Sequence, residues 1–179
     1  MTMGSNYDVI IAGGGPAGSS AAINLALRGA RVLLVEQKKF PRAKLCGEFI
    51  SPECADLFAR LGVADQMFAA RPATLSDTVF YSRTGKSAGV PSSWFGSANG
   101  ALGLSRAEMD ERLLRRASDA GVEVLENAHA TNVLLEDENV CGITIKHHGS
   151  EESFRAAITI DATGRTRALA RHVNSKPNT

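Results

Sequence analysis

The chain has 179 residues, 44% of them hydrophobic and 22% charged, and a formal net charge of +1. That is long enough to bury a core in one domain of ordinary size and too apolar for a disordered segment. The near-neutral balance, with dispersed basic residues, points away from nucleic acid and from an anionic membrane surface.

The opening "MTMGSNYD" has neither the basic nor the apolar region of a targeting segment. No run reaches the length of a membrane span, and the cysteine usage makes the reducing cytoplasm the expected setting. Tyr7 to Ala12 is a short apolar run, as in a strand buried on both faces. Pro16 to Arg28 is rich in Ala and Leu, with Pro at the first helical position and Gly29 just past the end. Arg31 to Val35 reads as a second buried strand ending at Glu36. From Gln37 to Gly103 the pattern is less regular. It holds a helix from Pro52 to Leu61, capped by Ser51 and stopped by Gly62, then weak strands around Thr78 to Ser82 and Ser87 to Val90. The following "PSSWFGSANGALG" is turn-rich, and packing is the expected role of Trp94 and Phe95.

Ser105 to Glu108 is a capping box. The helix it opens keeps Met109, Leu113, Leu114 and Ala117 on one face, leaves Arg112, Arg115 and Arg116 wet, and stops at Gly121. "VEVLE" follows as a strand. Thr131 to Glu136 and Val140 to Lys146 flank "DEN" as a hairpin, and Ala157 to Asp161 is the last strand. Three cysteines, Cys46, Cys54 and Cys141, with no C-x-x-C and no histidine at ligand spacing, argue against a disulfide framework and against a metal site. His147 and His148 are adjacent and on a strand would point to opposite faces.

The chemistry is concentrated in the first turn. Gly13, Gly15 and Gly18 form G-x-G-x-x-G after a strand and at the opening of a helix. The first glycine permits the tight turn, the second lets a pyrophosphate approach the backbone, and the third lets the helix pack closely. Helix N–H groups and the positive dipole end then face an anion. Glu36, at the tip of the next strand, is placed to accept hydrogen bonds from a ribose and to repel a 2′-phosphate. The expected ligand is a dinucleotide. The loop by itself leaves NAD and FAD both open, since each carries an adenosine pyrophosphate.

Other stretches separate the two. "DVIIAGGGPAGSSAAINLALRGARVLLVEQ" resembles the opening of the FAD-dependent oxidoreductases related to geranylgeranyl reductases, aromatic-ring hydroxylases and flavin-dependent halogenases. "FPRAKLCGEFISPE" is similar to the Cys-Gly segment of the reductase branch. "LSRAEMDERLLRRASDAGVEVL" is similar to the family's Arg-bearing helix and following strand, and "ITIDATGRTRALAR" to its Ala-Thr-Gly segment. The resemblance implies a Rossmann-like α/β FAD-binding fold, with a parallel central sheet and a β-meander, incomplete at its C-terminus. Residues 1–179 would be the FAD-binding domain, the N-terminal portion of a longer flavoprotein, with 41–104 an insertion that begins the substrate-facing region. "HVNSKPNT" does not look like the family's continuation.

The resemblance also implies roles by position. Gly13, Gly15, Pro16, Ala17 and Gly18 would hold the FAD pyrophosphate, and Glu36 the adenosine ribose. Arg42 would lie near the cofactor, with Cys46 and Gly47 beside the flavin ring. Arg106 would approach the phosphates; a cation in the first turn of a helix opposes the dipole unless an anion is near. Ala130 would lie by the adenine through its backbone, and Asp161 to Gly164 would close over the cofactor. Thr163 stands where many hydroxylases have an aspartate. No catalytic residue is assigned; Cys46 is the candidate nearest the flavin, its alternative being an ordinary buried thiol.

The implied function is an FAD-dependent oxidoreductase, its flavin reduced by NAD(P)H, acting on a small isoprenoid-like or aromatic molecule in the manner of a geranylgeranyl reductase. A flavin-dependent monooxygenase or halogenase is the alternative within the superfamily. An NAD-dependent dehydrogenase would need a second βαβ half carrying a catalytic His, Lys or Tyr. A dinucleotide-binding fragment without turnover is the reading from another class.

Overall fold

A computed structural model describes residues 7–46, 48–95 and 100–173. In chain order the elements are β1 (Tyr7–Ala12), α1 (Pro16–Ala26), β2 (Val32–Glu36), β3 (Phe49–Ile50), α2 (Cys54–Leu61), α3 (Ala64–Ala69), β4 (Ala73–Leu75), β5 (Asp77–Tyr81) and β6 (Ser87–Pro91). They continue with β7 (Ala101–Gly103), α4 (Arg106–Asp119), β8 (Glu123–Glu126), β9 (Ala128–Glu136), β10 (Asn139–His147) and β11 (Ser150–Asp161). The chain divides into two compact units, one made of the chain up to Arg42 and from Leu113 onward, the other of Ala43–Arg112.

The first unit is built on a six-stranded sheet of order β8-β2-β1-β11-β10-β9. β8, β2, β1 and the second half of β11 run parallel. β9, β10 and the first half of β11 form an antiparallel meander. This is the expected α/β fold with a parallel centre and a meander. Ile10, Ala12, Leu33 and Val35 pack with Ala128, Ala130, Val133, Ile143, Ile145, Ala156 and Leu169. Burying one such aliphatic side chain contributes roughly 1.5–3 kcal/mol. Leu113, Leu114 and Ala117 of α4 are buried together with Ala22 and Ile23 of α1, whereas Met109 is only partly buried.

Several element ends differ from expectation for identifiable reasons. β11 begins at Ser150, not Ala157, because "SEESFR" pairs along its whole length with β10 although most of its side chains are exposed. Such a stretch lacks the apolar alternation that marks a strand. Regular α1 stops at Ala26, two residues early, and its last carbonyls are closed by bonds from Gly29 N to Ala26 O and from Ala30 N to Leu25 O. Gly62 and Gly121 end α2 and α4 by the same pair of bonds, each at positive φ. α2 starts at Cys54, and Ser51 does not cap it; its hydroxyl lies 3.6 Å from the Cys54 thiol. Half of the capping box forms, with Glu108 N–H donating to Ser105 Oγ at 3.2 Å, while the Glu108 carboxylate turns to Arg112.

In the second unit, β3, β7 and β4 form a small antiparallel sheet, and the two weak strand signals pair as the β5–β6 hairpin. Trp94 is 74% exposed, so it does not pack as expected. In the first unit, His148 leaves the strand at φ +48° and its ring lies 4.1 Å from that of His147 at a tilt of 43°, so the two imidazoles lie against each other rather than point apart. Among the described residues no three His, Cys, Asp or Glu side chains come together as metal ligands.

Where β11 passes from antiparallel to parallel pairing it faces Gly142 of β10, at φ +154°, where an added Cβ would lie 2.0 Å from the Phe154 carbonyl oxygen. Gly142→Ala is expected to destabilise the protein by about 1–3 kcal/mol. A urea titration should show a lower midpoint with an unchanged slope.

Candidate functional site

The carboxyl ends of the parallel strands β1, β2, β8 and β11 lie side by side, with Ala12 beside Val35 and Asp161, and Glu36 beside Glu126. Ligands of open α/β sheets bind along this edge. The chain leaves β1 through Gly13, whose N–H donates to the Val35 carbonyl at 2.8 Å. At φ +108°, with the place of a Cβ 2.4 Å from the Ala162 carbonyl oxygen, only glycine fits there. Gly18 in the first turn of α1 is equally constrained, since its Cβ would lie 1.8 Å from the Gly13 carbonyl oxygen. The loop therefore folds onto its own start, and α1 sits against it with no side chain between.

Gly15 is the N-cap and offers no side chain to the helix end. Pro16 removes one N–H, and the first intrahelical bond runs from Ser19 N to Gly15 O. The N–H groups of Ala17 and Gly18 belong to the turn that a helix cannot satisfy by itself. An anion at this end is stabilised by about 0.3–1 kcal/mol per charge. With no side chain filling the turn, these donors and the cradle of Gly13 and Gly18 fit a pyrophosphate.

Glu36 closes the other side of the loop. Its side chain is buried, Oε2 accepts the Gly14 N–H at 2.9 Å, and Oε1 accepts the Lys38 N–H at 2.9 Å. Arg42 Nη2 stands 3.6 Å from the same Oε2, and the Arg42 guanidinium lies over the Phe40 ring at 4.6 Å. Each carboxylate oxygen has two acceptor sites, so capacity is left for hydroxyl donors.

Asp161 ends β11, and its carboxylate gathers the turn that follows. Oδ1 accepts the Thr163 N–H at 3.0 Å and the Thr163 hydroxyl at 2.6 Å. Oδ2 accepts the N–H groups of Leu169 and Ala170 at 2.9 and 2.8 Å. Partial burial pushes its pKa up, but the Thr163 hydroxyl and the three amides outweigh this and hold the carboxyl below the ordinary aspartate value. Thr163 spends its hydroxyl inside this network, accepting also from Ala168 N–H at 2.8 Å. Gly164 opens a short 3-10 turn at φ +79° and is exposed, and Ala130 is buried on β9 beside the register shift opposite Ile145.

The edge of the first unit thus brings together Gly13, Gly15, Pro16, Ala17, Gly18, Glu36, Arg42 and Asp161. Cys46 and Arg106 belong to the second unit, and Gly47 lies outside the described residues. Cys46 is an exposed thiol outside any disulfide, not a buried one, and it interacts electrostatically with the Arg106 guanidinium. Arg106 Nε and Nη2 donate to the two oxygens of Asp110 at 2.7 and 2.8 Å, and Asp110 is fully buried. Asp110, foremost, raises the Arg106 pKa. The anion that the helix end demanded is therefore supplied by α4 itself. That Arg-x-x-x-Asp spacing was visible in the sequence and passed unread. A second acid also went unread: Glu126, at the end of β8, accepts Phe40 N–H at 2.6 Å and Arg115 Nη1 at 3.1 Å.

A model of the FAD dependent oxidoreductase family matches residues 8–172. The digeranylgeranylglycerophospholipid reductase of Methanocella arvoryzae is 33% identical over 167 residues, covering 90% of this chain and 40% of that protein. The myxobacterial FAD-dependent chondrochloren halogenase CndH superposes with a TM-score of 0.87 at 30% identity, over 96% of this chain and 40% of the halogenase. A geranylgeranyl bacteriochlorophyll reductase-like protein of Thermoplasma acidophilum gives 0.82 at 26% identity, over 96% of this chain and 43% of its own. The chain spans about 40% of the length of these relatives.

Because the Asp161 carboxyl is more acidic folded than unfolded, its contribution to stability is present above about pH 3.8 and is lost as pH falls through the lower folded value. Asp161→Asn is expected to melt earlier than the parent at pH 7. The gap should narrow below pH 3.8 in calorimetric scans.

Proposed function

This chain belongs to the FAD dependent oxidoreductase family, and on that premise we propose that it holds FAD for oxidoreductase chemistry on a small organic substrate. The observation that carries the reading is the loop from Gly13 to Gly18, open at the N-terminus of α1 and bonded through Gly14 N–H to the Glu36 carboxylate. In this reading Gly13, Gly15, Pro16, Ala17 and Gly18 hold the pyrophosphate. Glu36 takes the adenosine ribose hydroxyls, and its negative charge disfavours a 2′-phosphate. Arg42 lies beside it, Ala130 meets the adenine through its backbone, and Asp161 to Gly164 cover the cofactor. The family resemblance further suggests cofactor-contacting roles for Cys46, Gly47 and Arg106, with residues 41–104 beginning the substrate-facing region. FAD, when bound, supplies the two-electron redox chemistry, and the chain's own residues supply binding and electrostatics.

NAD(P)H is the electron donor in this reading, and the substrate is isoprenoid-like, as the digeranylgeranylglycerophospholipid reductases of the family suggest. The likeness to chondrochloren halogenase favours a second reading, halogenation or oxygenation of an aromatic molecule. Among the described residues no helix is long and apolar enough to cross a membrane. A cytoplasmic setting accords with the sequence.

Purified chain loaded with FAD and desalted is expected to keep its flavin absorption bands with an ordered circular dichroism spectrum. A folded, colourless protein that instead binds NAD overturns the reading. Glu36→Ala removes a charged acceptor from two amides and from the ribose. Each such bond is worth about 1.5–3 kcal/mol, so FAD affinity measured by fluorescence titration should fall roughly ten- to a hundredfold.

A further inference from the structure

We propose that Glu126 is a positioning residue, holding the loop after β2 so that Arg42 and Glu36 face the adenosine end of the cofactor. The proposal rests on the reading of Arg42 and Glu36 given above, but the tether itself is testable without FAD.

Glu126 ends β8 and is the register neighbour of Glu36 on β2. Two carboxylates side by side on adjacent strands repel each other. Here each is drawn to its own loop amide and its own arginine. Glu36 takes Lys38 N–H and stands by Arg42, while Glu126 takes Phe40 N–H at 2.6 Å and Arg115 at 3.1 Å. The loop from Gln37 to Arg42 is thereby fastened at successive points. The Gln37 amide oxygen meets His129 Nδ1 at 3.2 Å, Lys38 N–H is held by Glu36, and Phe40 N–H by Glu126. Phe40 is 3% exposed, and its ring is the surface on which the Arg42 guanidinium rests at 4.6 Å. Release of Phe40 N–H would loosen that ring, and with it the aromatic face on which Arg42 rests.

The two partners of Glu126 differ in weight. Arg115 is half exposed, and an ion pair of that kind contributes little. The bond from a backbone amide to the charged, largely buried Glu126 carboxylate is the stronger tether. Glu126→Gln keeps an acceptor oxygen for Phe40, whereas Glu126→Ala removes it.

The experiment compares wild type, E126A, E126Q, R115A and R42A in two assays on the full chain. Trypsin cleavage after Lys38, Lys39 and Arg42 reads loop order without cofactor, and fluorescence titration reads FAD affinity. E126A is expected to be cut about tenfold faster in this loop and to bind FAD about tenfold more weakly, at an unchanged circular dichroism spectrum. E126Q should restore most of both, and R115A should resemble wild type. Unchanged cleavage in folded E126A overturns the proposal, as does an R115A effect as large as that of E126A. If R42A binds FAD normally while E126A still loosens the loop, the tether stands and the reading of Arg42 falls. Should E126A fail to fold, amide exchange on the wild-type chain decides. A Phe40 N–H protected well beyond that of Lys39 supports the tether, and exchange at the rate of an unstructured peptide overturns it.

Discussion

One hydrogen bond orders the edge on which everything else depends. Gly14 gives its N–H to the Glu36 carboxylate, joining the loop after β1 to the tip of β2. A turn with three successive glycines has large backbone freedom, and without a fixed partner it would lose its shape to entropy. The carboxylate supplies that partner within a buried setting, where a charged acceptor is strong. Gly13 is then pressed to the Ala162 carbonyl and Gly18 to the Gly13 carbonyl, so the loop is defined by contacts that no side chain could occupy.

The same device recurs along the strand ends. Glu36, Glu126 and Asp161 each end a parallel strand and each accept backbone N–H groups from the segment that follows or lies beside it. Carboxylates suit this task because they only accept, and each oxygen can take two donors. The edge of the sheet is thereby lined by loops whose amides these carboxylates hold, whereas the first turn of α1 carries N–H groups that a helix cannot satisfy by itself. Preorganisation of this kind reduces what a bound dinucleotide must spend on ordering the chain.

The parallel half of the fold was legible because its signals are local. The apolar runs of β1 and β2, Pro16 and the stopping glycines Gly29, Gly62 and Gly121 state their structure within a few residues. The glycine loop and Glu36 were legible for the same reason. The first half of β11 was not, since it is polar and owes its conformation to pairing with β10 rather than to its own pattern. Glu126 escaped because its partner Phe40 lies far back in the chain, and although the Arg106–Asp110 spacing is local, the burial of Asp110 is a tertiary fact. The exposure of Cys46 and Trp94 was hidden in the same way, in a stretch whose composition is mixed and whose short strands carry little periodicity.

β11 has a consequence for how the chain is made. β1 finds β2 within a few tens of residues, but its other neighbour is the second half of β11, nearly the whole chain later. On a ribosome, the central strand of the sheet therefore waits with one edge unpaired until almost everything described here has emerged. Pairings so distant in sequence form slowly, and an open apolar edge is prone to wrong partners in the meantime. The adjacent glycine loop shares that delay, because the seal on Gly13 is Ala162, one residue beyond β11. The glycine loop, made well before β11, thus waits for β11 to take its final shape.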